Sequence, residues 1–237
     1  MSTDNHAKPK LSIMSALAVS AALRRQVVPE FERATNADCD MIWDPTTVLL
    51  KRISTGERAD LIIATDEAVD ELTERGLVLA RGREPIASAV LGLGIKHGGA
   101  RPDISTVDRF KAALTRARSV AYSQGGASGI YFSDLIQRLG IADAVNAKAT
   151  IIPAGFTGEK IVDGHADLAI QQISELLMVQ GVDVVGPFPD ELQVATDFSA
   201  AIMKDSPNAE MASKFISALV SAAAGEAYQA TGLIRRF

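Results

Sequence analysis

Small and hydroxyl-bearing residues gather at four points where an apolar run gives way to a helical pattern: Ser15-Ala16, Pro45-Thr46-Thr47, Gly125-Gly126-Ala127-Ser128-Gly129 and Phe156-Thr157-Gly158. The first N–H groups of a helix lack intrahelical partners and carry about half a positive charge. Glycine and alanine let a guest approach the backbone, and serine and threonine add donors. Such corners together make an anion cage without formal charge. Taken singly, each hydroxyl is an ordinary helix cap; four in one chain suggest a shared cleft. A pair of amides, Gln171-Gln172, closes the apolar run of "DLAIQQ". On a strand the two point to opposite faces, so one of them turns into a cleft only where the strand ends.

Other chemistry finds little support. His6, His97 and His165 are scattered, without metal or triad spacing, and read as solvated. "GGASG" lacks the spaced glycines of a dinucleotide fold and the lysine of a phosphate loop. There is no GxSxG elbow, and no cofactor is expected. The net charge of −5 argues against nucleic acid as a partner but not against a small anionic ligand, because backbone dipoles bind anions on acidic proteins. Cys39, the one cysteine, allows no internal disulfide and reads as a small buried hydrophobe. No apolar run reaches the ~18 residues of a membrane span.

These corners need elements to hold them. Strand and helix signals alternate: strands at 11–14, 39–43 and 60–64, each followed by a helix, at 17–35, from about 46 to 55, and at 66–75. Thr65 caps the last of these, and Gly76 closes it. Pro29 inside the first helix removes a hydrogen bond and marks a local irregularity. A second set follows. It has a long glycine-containing strand at 86–96, helices at 106–117 and 128–139, strands at 119–122, 150–152 and 167–171, and "VDVVGPFP" (182–189), a strand ending in a Pro-rich turn. A short helix at 157–162 lies among them, and a strand at 195–203 and one or two helices over 208–230 complete the chain. Continuous apolar strands such as "DLIIA" between helices imply an α/β fold with mostly parallel sheets flanked by helices. The stretches 86–96 and 195–203 are the natural crossings between two lobes. We assign 10–87 plus 200–237 to the first lobe, 88–199 to the second and 1–9 to a disordered tail.

Several segments in this order carry a resemblance: "ALRRQVVPEFERATN", "RISTGERADLIIATDEAVDELTERG", "ASGIYFSDLIQRLGI" and "AAGEAYQATGLIRRF". The chain resembles the bacterial solute-binding proteins found with molybdate transporters, the two-lobed class II periplasmic-binding fold. The resemblance implies a ligand cleft between the lobes and a partner in the membrane component of an ABC transporter. It places ligand contacts at Ser15 and Ala16, at Thr46 or Thr47, at Ser128 and Gly129, and at Phe156 or Thr157. The family's tyrosine after the "DLAI" strand falls at Gln172, and its paired serines are thinned to Ser15-Ala16-Leu17. These departures favour an organic carboxylate over molybdate. Some relatives of the fold resemble isomerases of unsaturated tricarboxylates such as aconitate. That chemistry needs a base; Asp66 and Tyr131 are the ionisable candidates, and Asp66 reads more simply as a first-turn helix residue. If Met1 is the native start the protein is expected in the cytoplasm; with a leader removed it is expected in the periplasm.

Overall fold

A computed structural model describes residues 8–79 and 81–237. The first strand, β1 (Lys10–Ala16), is buried on both faces from Ile13 to Ala16. Leu11 and Ile13 enter one core with Leu61, Ile63 and Phe215. Met14 enters a second core with Leu49, Ile53 and Ile62. The apolar residues of β1 therefore serve both faces instead of alternating with period two. Helix α1 (residues 17–35) follows directly. It opens with a 3₁₀ turn at Leu17–Val19 and widens into a π turn at Leu23–Val27, where the Val28 N–H reaches Leu23 O. The regular helix resumes at Val28, so Pro29 falls in a first turn, where its missing N–H costs little. Asn36, at φ 54°, ends the helix in the left-handed region that asparagine tolerates.

Strand β2 (Asp38–Asp44) pairs parallel with β1, and after α2 (Thr46–Ser54) so does β3 (Leu61–Thr65). Helix α3 (Asp66–Glu74) starts with the Thr65 hydroxyl accepting from the Ala68 N–H. Next comes β4 (Glu84–Lys96), the longest strand. Then follow α4 (Val107–Arg116), β5 (Val120–Ser123), α5 (Ala127–Arg138), α6 (Ala142–Asn146), β6 (Ala149–Ile152) and α7 (Gly158–Val162). Strand β7 (Leu168–Gln172) runs straight into a one-turn helix, α8 (Ile173–Leu176). The chain finishes with β8 (Val182–Pro187), β9 (Ala195–Ile202), α9 (Ala209–Leu219), α10 (Ala222–Ala230) and β10 (Leu233–Arg235).

The strand order is β2-β1-β3-β9-β4-β7-β5-β6, with β8 and β10 also on β4. Both outer groups, β2-β1-β3 and β7-β5-β6, are parallel as the alternation requires. Every pairing made by β4 or β9 is antiparallel. Residues 84–90 of β4 pair with β9, and residues 91–96 pair with β7 and β8. One strand therefore belongs to two sheets, each with its own core: around Phe31, Phe215 and Tyr228 in the first, around Phe110, Phe132 and Phe188 in the second. This is a two-lobed α/β fold. By strand pairing the sheets divide between Val90 and Leu91, three residues beyond the sequence-based boundary at 87/88, and all of β9 pairs within the first sheet. Pairing extends past 87 because the extended backbone continues with no turn residue to mark the change.

Residues 1–7 of the expected tail lie outside the described residues. Lys8 and Pro9 are tied down: the Pro9 carbonyl accepts from the Asp38 N–H, and Lys8 pairs with Asp38. Cys39 is half-buried against the first core; burial first, then the nearby Glu32 and Asp38, push its thiol up to about 12. Among the described residues no helix is long and apolar enough to cross a membrane.

Candidate functional site: a neutral cleft with one buried carboxyl

Helices α1, α2 and α5 all begin at the same place. Ala16, Pro45 and Gly126 immediately precede them, and none of the three starts is capped by a side chain. Away from this place, α4 and α10 start on the hydroxyls of Thr106 and Ser221. The three uncapped starts surround a cavity between the two halves. Ala16, Leu17, Ala18, Pro45 and Thr46 line it from the first half, and Ser123, Gly126, Ala127 and Ser128 from the second. Its free space is about 30 Å3, room for little more than a water. Thr47 of α2 donates its hydroxyl hydrogen bond to the Gly125 carbonyl, joining the halves beside the cavity.

Gly126 and Gly129 have specific packing reasons. A Cβ on Gly129 would stand 1.6 Å from the Ser123 carbonyl oxygen, and one on Gly126 would stand 2.8 Å from the Ser123 hydroxyl. The glycines let α5 start directly against the end of β5. Ser123, now covered, keeps a buried hydroxyl without a hydrogen-bond partner.

The amide pair divides its work. Gln171 Oε1 accepts from the Thr157 N–H at 2.8 Å and from the Thr157 hydroxyl at 2.9 Å, and its Nε2 donates to the Gly155 carbonyl. Gln172 Nε2 donates to the Thr196 hydroxyl on β9 at 2.9 Å, while its Oε1 is buried and unpartnered. Both glutamines line the cavity, because the chain turns into α8 immediately after β7. Buried polar groups are nearly always paired, so the orphaned Ser123 hydroxyl and Gln172 carbonyl point to something that the cavity receives.

Five of the ten sequence-based candidates thus share one cavity: Ala16, Thr46, Ser128, Gln171 and Gln172. The other five lie off its wall. Ser15 is fully buried beneath the corner, its hydroxyl near the Ala16 carbonyl. Thr47 bridges to Gly125, and Gly129 packs on β5. Phe156 and Thr157 stand at a corner that the chain closes for itself, since Gln171 takes both the N–H and the hydroxyl of Thr157. The two ionisable candidates are elsewhere too. Asp66 accepts from the Ser199 hydroxyl and pairs with Arg236 and Arg83; burial pushes its carboxyl up, but these partners outweigh it and hold the group below its ordinary value. Tyr131 donates to the Leu192 carbonyl. His97 is exposed and bonded to Asp183, and His165 is exposed.

Sequence reasoning missed Glu175. It lies on α8, is 8% exposed and lines the cavity. Among the described residues, no Lys, Arg or His lines the cavity with it. Burial drives its carboxyl from 4.5 up to about 7, against smaller downward pulls from the Gln172 N–H and the Gln171 amide. Its position depends on two strand glycines. A Cβ on Gly92 would meet Ile173 at 2.5 Å, and one on Gly94 would meet Leu176 at 3.0 Å. Without side chains there, α8 lies down on β4 and turns Glu175 into the cleft. The available signal was the pair of glycines in "VLGLGIK" together with an acid inside the apolar run after "DLAIQQ".

A larger groove of about 760 Å3 lies on the second half alone, beside α4 and β7. Of the charges that flank it, Arg109 pairs with Asp103 and Arg118 with Asp167, Lys96 donates to the Val162 carbonyl, and Arg116 stands beside them. Among the described residues it has no orphaned buried group, whereas the small cleft has two, so the small cleft is the candidate site.

Residues 11–234 match the family of bacterial extracellular solute-binding proteins. The chain is 33% identical over 229 residues to an aconitate isomerase from a Pseudomonas species, covering 94% of this chain and 87% of the relative. It is 21% identical over 205 residues to the molybdate-binding protein ModA of Escherichia coli, covering 84% and 79%. The periplasmic molybdate-binding protein of Azotobacter vinelandii superposes with a TM-score of 0.80 at 18% identity, over 96% of this chain and all of that one. The chain belongs to the bacterial extracellular solute-binding protein family.

Proposed function

We propose that the chain binds a small organic anion, a di- or tricarboxylate, in the cleft between its halves, and delivers it outside the cytoplasmic membrane to the membrane component of a transporter. One observation carries this: three uncapped helix starts converge with the unpartnered Ser123 hydroxyl on a cavity that, among the described residues, has no cationic side chain on its wall. Backbone dipoles of this kind receive negative charge without a fixed counter-ion. The unpartnered Gln172 carbonyl asks for a donor as well, which a hydroxyl or protonated carboxyl supplies and a bare oxyanion does not. Molybdate- and sulfate-binding neighbours of the fold support anion binding in general. A thermal-shift panel of molybdate, sulfate, phosphate, citrate, isocitrate, succinate and the aconitates tests it. A true ligand at one hundred times its Kd stabilises by about 2.7 kcal/mol. A panel in which no anion raises Tm rejects the proposal.

A second reading has its own support. The 33%-identical relative is an aconitate isomerase, and Glu175 supplies an ionisable group to the cleft. The same pocket would then convert its guest as well as hold it.

A further inference from the structure

We propose that Glu175 is the proton-transferring residue of the cleft, moving a proton between two carbons of a bound unsaturated di- or tricarboxylate. The proposal rests on the isomerase reading and deepens it by naming the group that does the chemistry. Among the described residues, Glu175 is the one titratable side chain on the cavity wall. It is flanked by Gln171 and Gln172 at the end of β7 and faces a space that α1, α2 and α5 enter with their first turns. Two buried polar atoms on the same wall, Ser123 Oγ and Gln172 Oε1, lack partners. A guest is therefore expected within reach of the carboxyl. Among the described residues no cation lines the cavity to offset the carboxylate, so Glu175 is placed to give and take a proton rather than to be half of an ion pair. Burial raises it to about 7, where both forms are accessible at neutral pH.

The step balances with no other reactant. The Glu175 carboxylate takes a proton from a carbon that is both allylic and next to a carboxylate. That C–H bond breaks and an O–H bond forms on Glu175. The electron pair spreads over the three-carbon unit and its carboxyl groups, whose developing charge meets the helix starts and the Ser123 hydroxyl. Glu175 then returns the proton to the far carbon, the O–H bond breaks, and the double bond has moved by one position.

The test uses the full chain with cis- and trans-aconitate, followed by chromatography, and with binding measured separately by titration calorimetry. Wild type is expected to interconvert the two acids and, because one carboxyl takes and returns the same proton, to carry deuterium from the methylene carbon of labelled aconitate to the far carbon of the product. Glu175→Gln keeps the shape, and it should still bind within about tenfold while losing at least ~100-fold in turnover. If wild type turns over and Glu175→Gln loses less than that, Glu175 is not the proton carrier, and the isomerase reading stands without it. If wild type binds aconitate but converts none, the isomerase reading and this proposal fall together, and the binding function stands. Should Glu175→Gln fail to bind, Glu175→Asp decides: a fall in kcat with KM within about tenfold supports the assignment, and unchanged kcat overturns it.

Discussion

Glu175 has a consequence for stability that needs no ligand. Its folded-state value of about 7 lies above its ordinary 4.5, so the folded chain holds this proton more tightly than the unfolded chain does. The contribution is fully present below about pH 4.5 and is lost as pH rises through 7, costing of the order of 3 kcal/mol by about pH 8. Glu175→Gln removes the dependence. The variant should match wild type at about pH 5 and exceed it at about pH 8, as urea unfolding at the two pH values would measure. Equal wild-type stability at both would mean that the carboxyl is hydrated rather than buried. Much of the cleft was legible at this scale: small and hydroxyl residues at helix starts located Ala16, Thr46 and Ser128, and an amide pair closing an apolar strand located Gln171 and Gln172. Glu175 was not legible. In sequence it is a first-turn acid, and its burial comes from contacts of its neighbours Ile173 and Leu176 with the distant Gly92 and Gly94.

Among the elements, the junction of β5 with α5 is the most demanding. An added methyl at Gly129 has no room, with the Ser123 carbonyl 1.6 Å away, whereas Gly186 on β8 has nothing within 4 Å. Gly129→Ala should lose about 1–3 kcal/mol in denaturant unfolding and displace the start of α5. Gly186→Ala should stay within about 0.5 kcal/mol of wild type. Comparable losses in both would contradict the close approach. The parallel strands were readable because β1 and β3 are buried on both faces and carry the continuous apolar runs Ile13-Met14 and Leu61-Ile62-Ile63-Ala64. The π turn ahead of Pro29 was foreshadowed only as an irregularity. The short α6, α8 and β10 gave no periodicity to detect, since five residues or fewer complete barely one helical turn or strand repeat. The antiparallel pairings of β4 and β9 depend on where the chain returns, which composition along a strand does not encode.

At the scale of the molecule, the two halves stand closed. About 30 Å3 of free space is less than a di- or tricarboxylate needs, so the proposed binding requires the halves to separate, and β4 is the strand that pairs in both sheets. The Thr47–Gly125 hydrogen bond joins the closed halves. Thr47→Val should weaken ligand binding by about 1 kcal/mol, roughly fivefold, and leave the Tm of the free protein nearly unchanged. An unaltered Kd would show that this bond adds nothing to closure. The central claim is that helix starts from both halves meet one anionic guest. Titration calorimetry of wild type and Ser128→Asp with trans-aconitate tests it most directly, since Ser128 lies at the α5 start on the cavity wall. Wild type is expected to bind one equivalent with a Kd in the micromolar range or below, and the added negative charge should abolish the heat while the fold, followed by circular dichroism, persists. Equal affinity in the two proteins would place the guest elsewhere and contradict the claim.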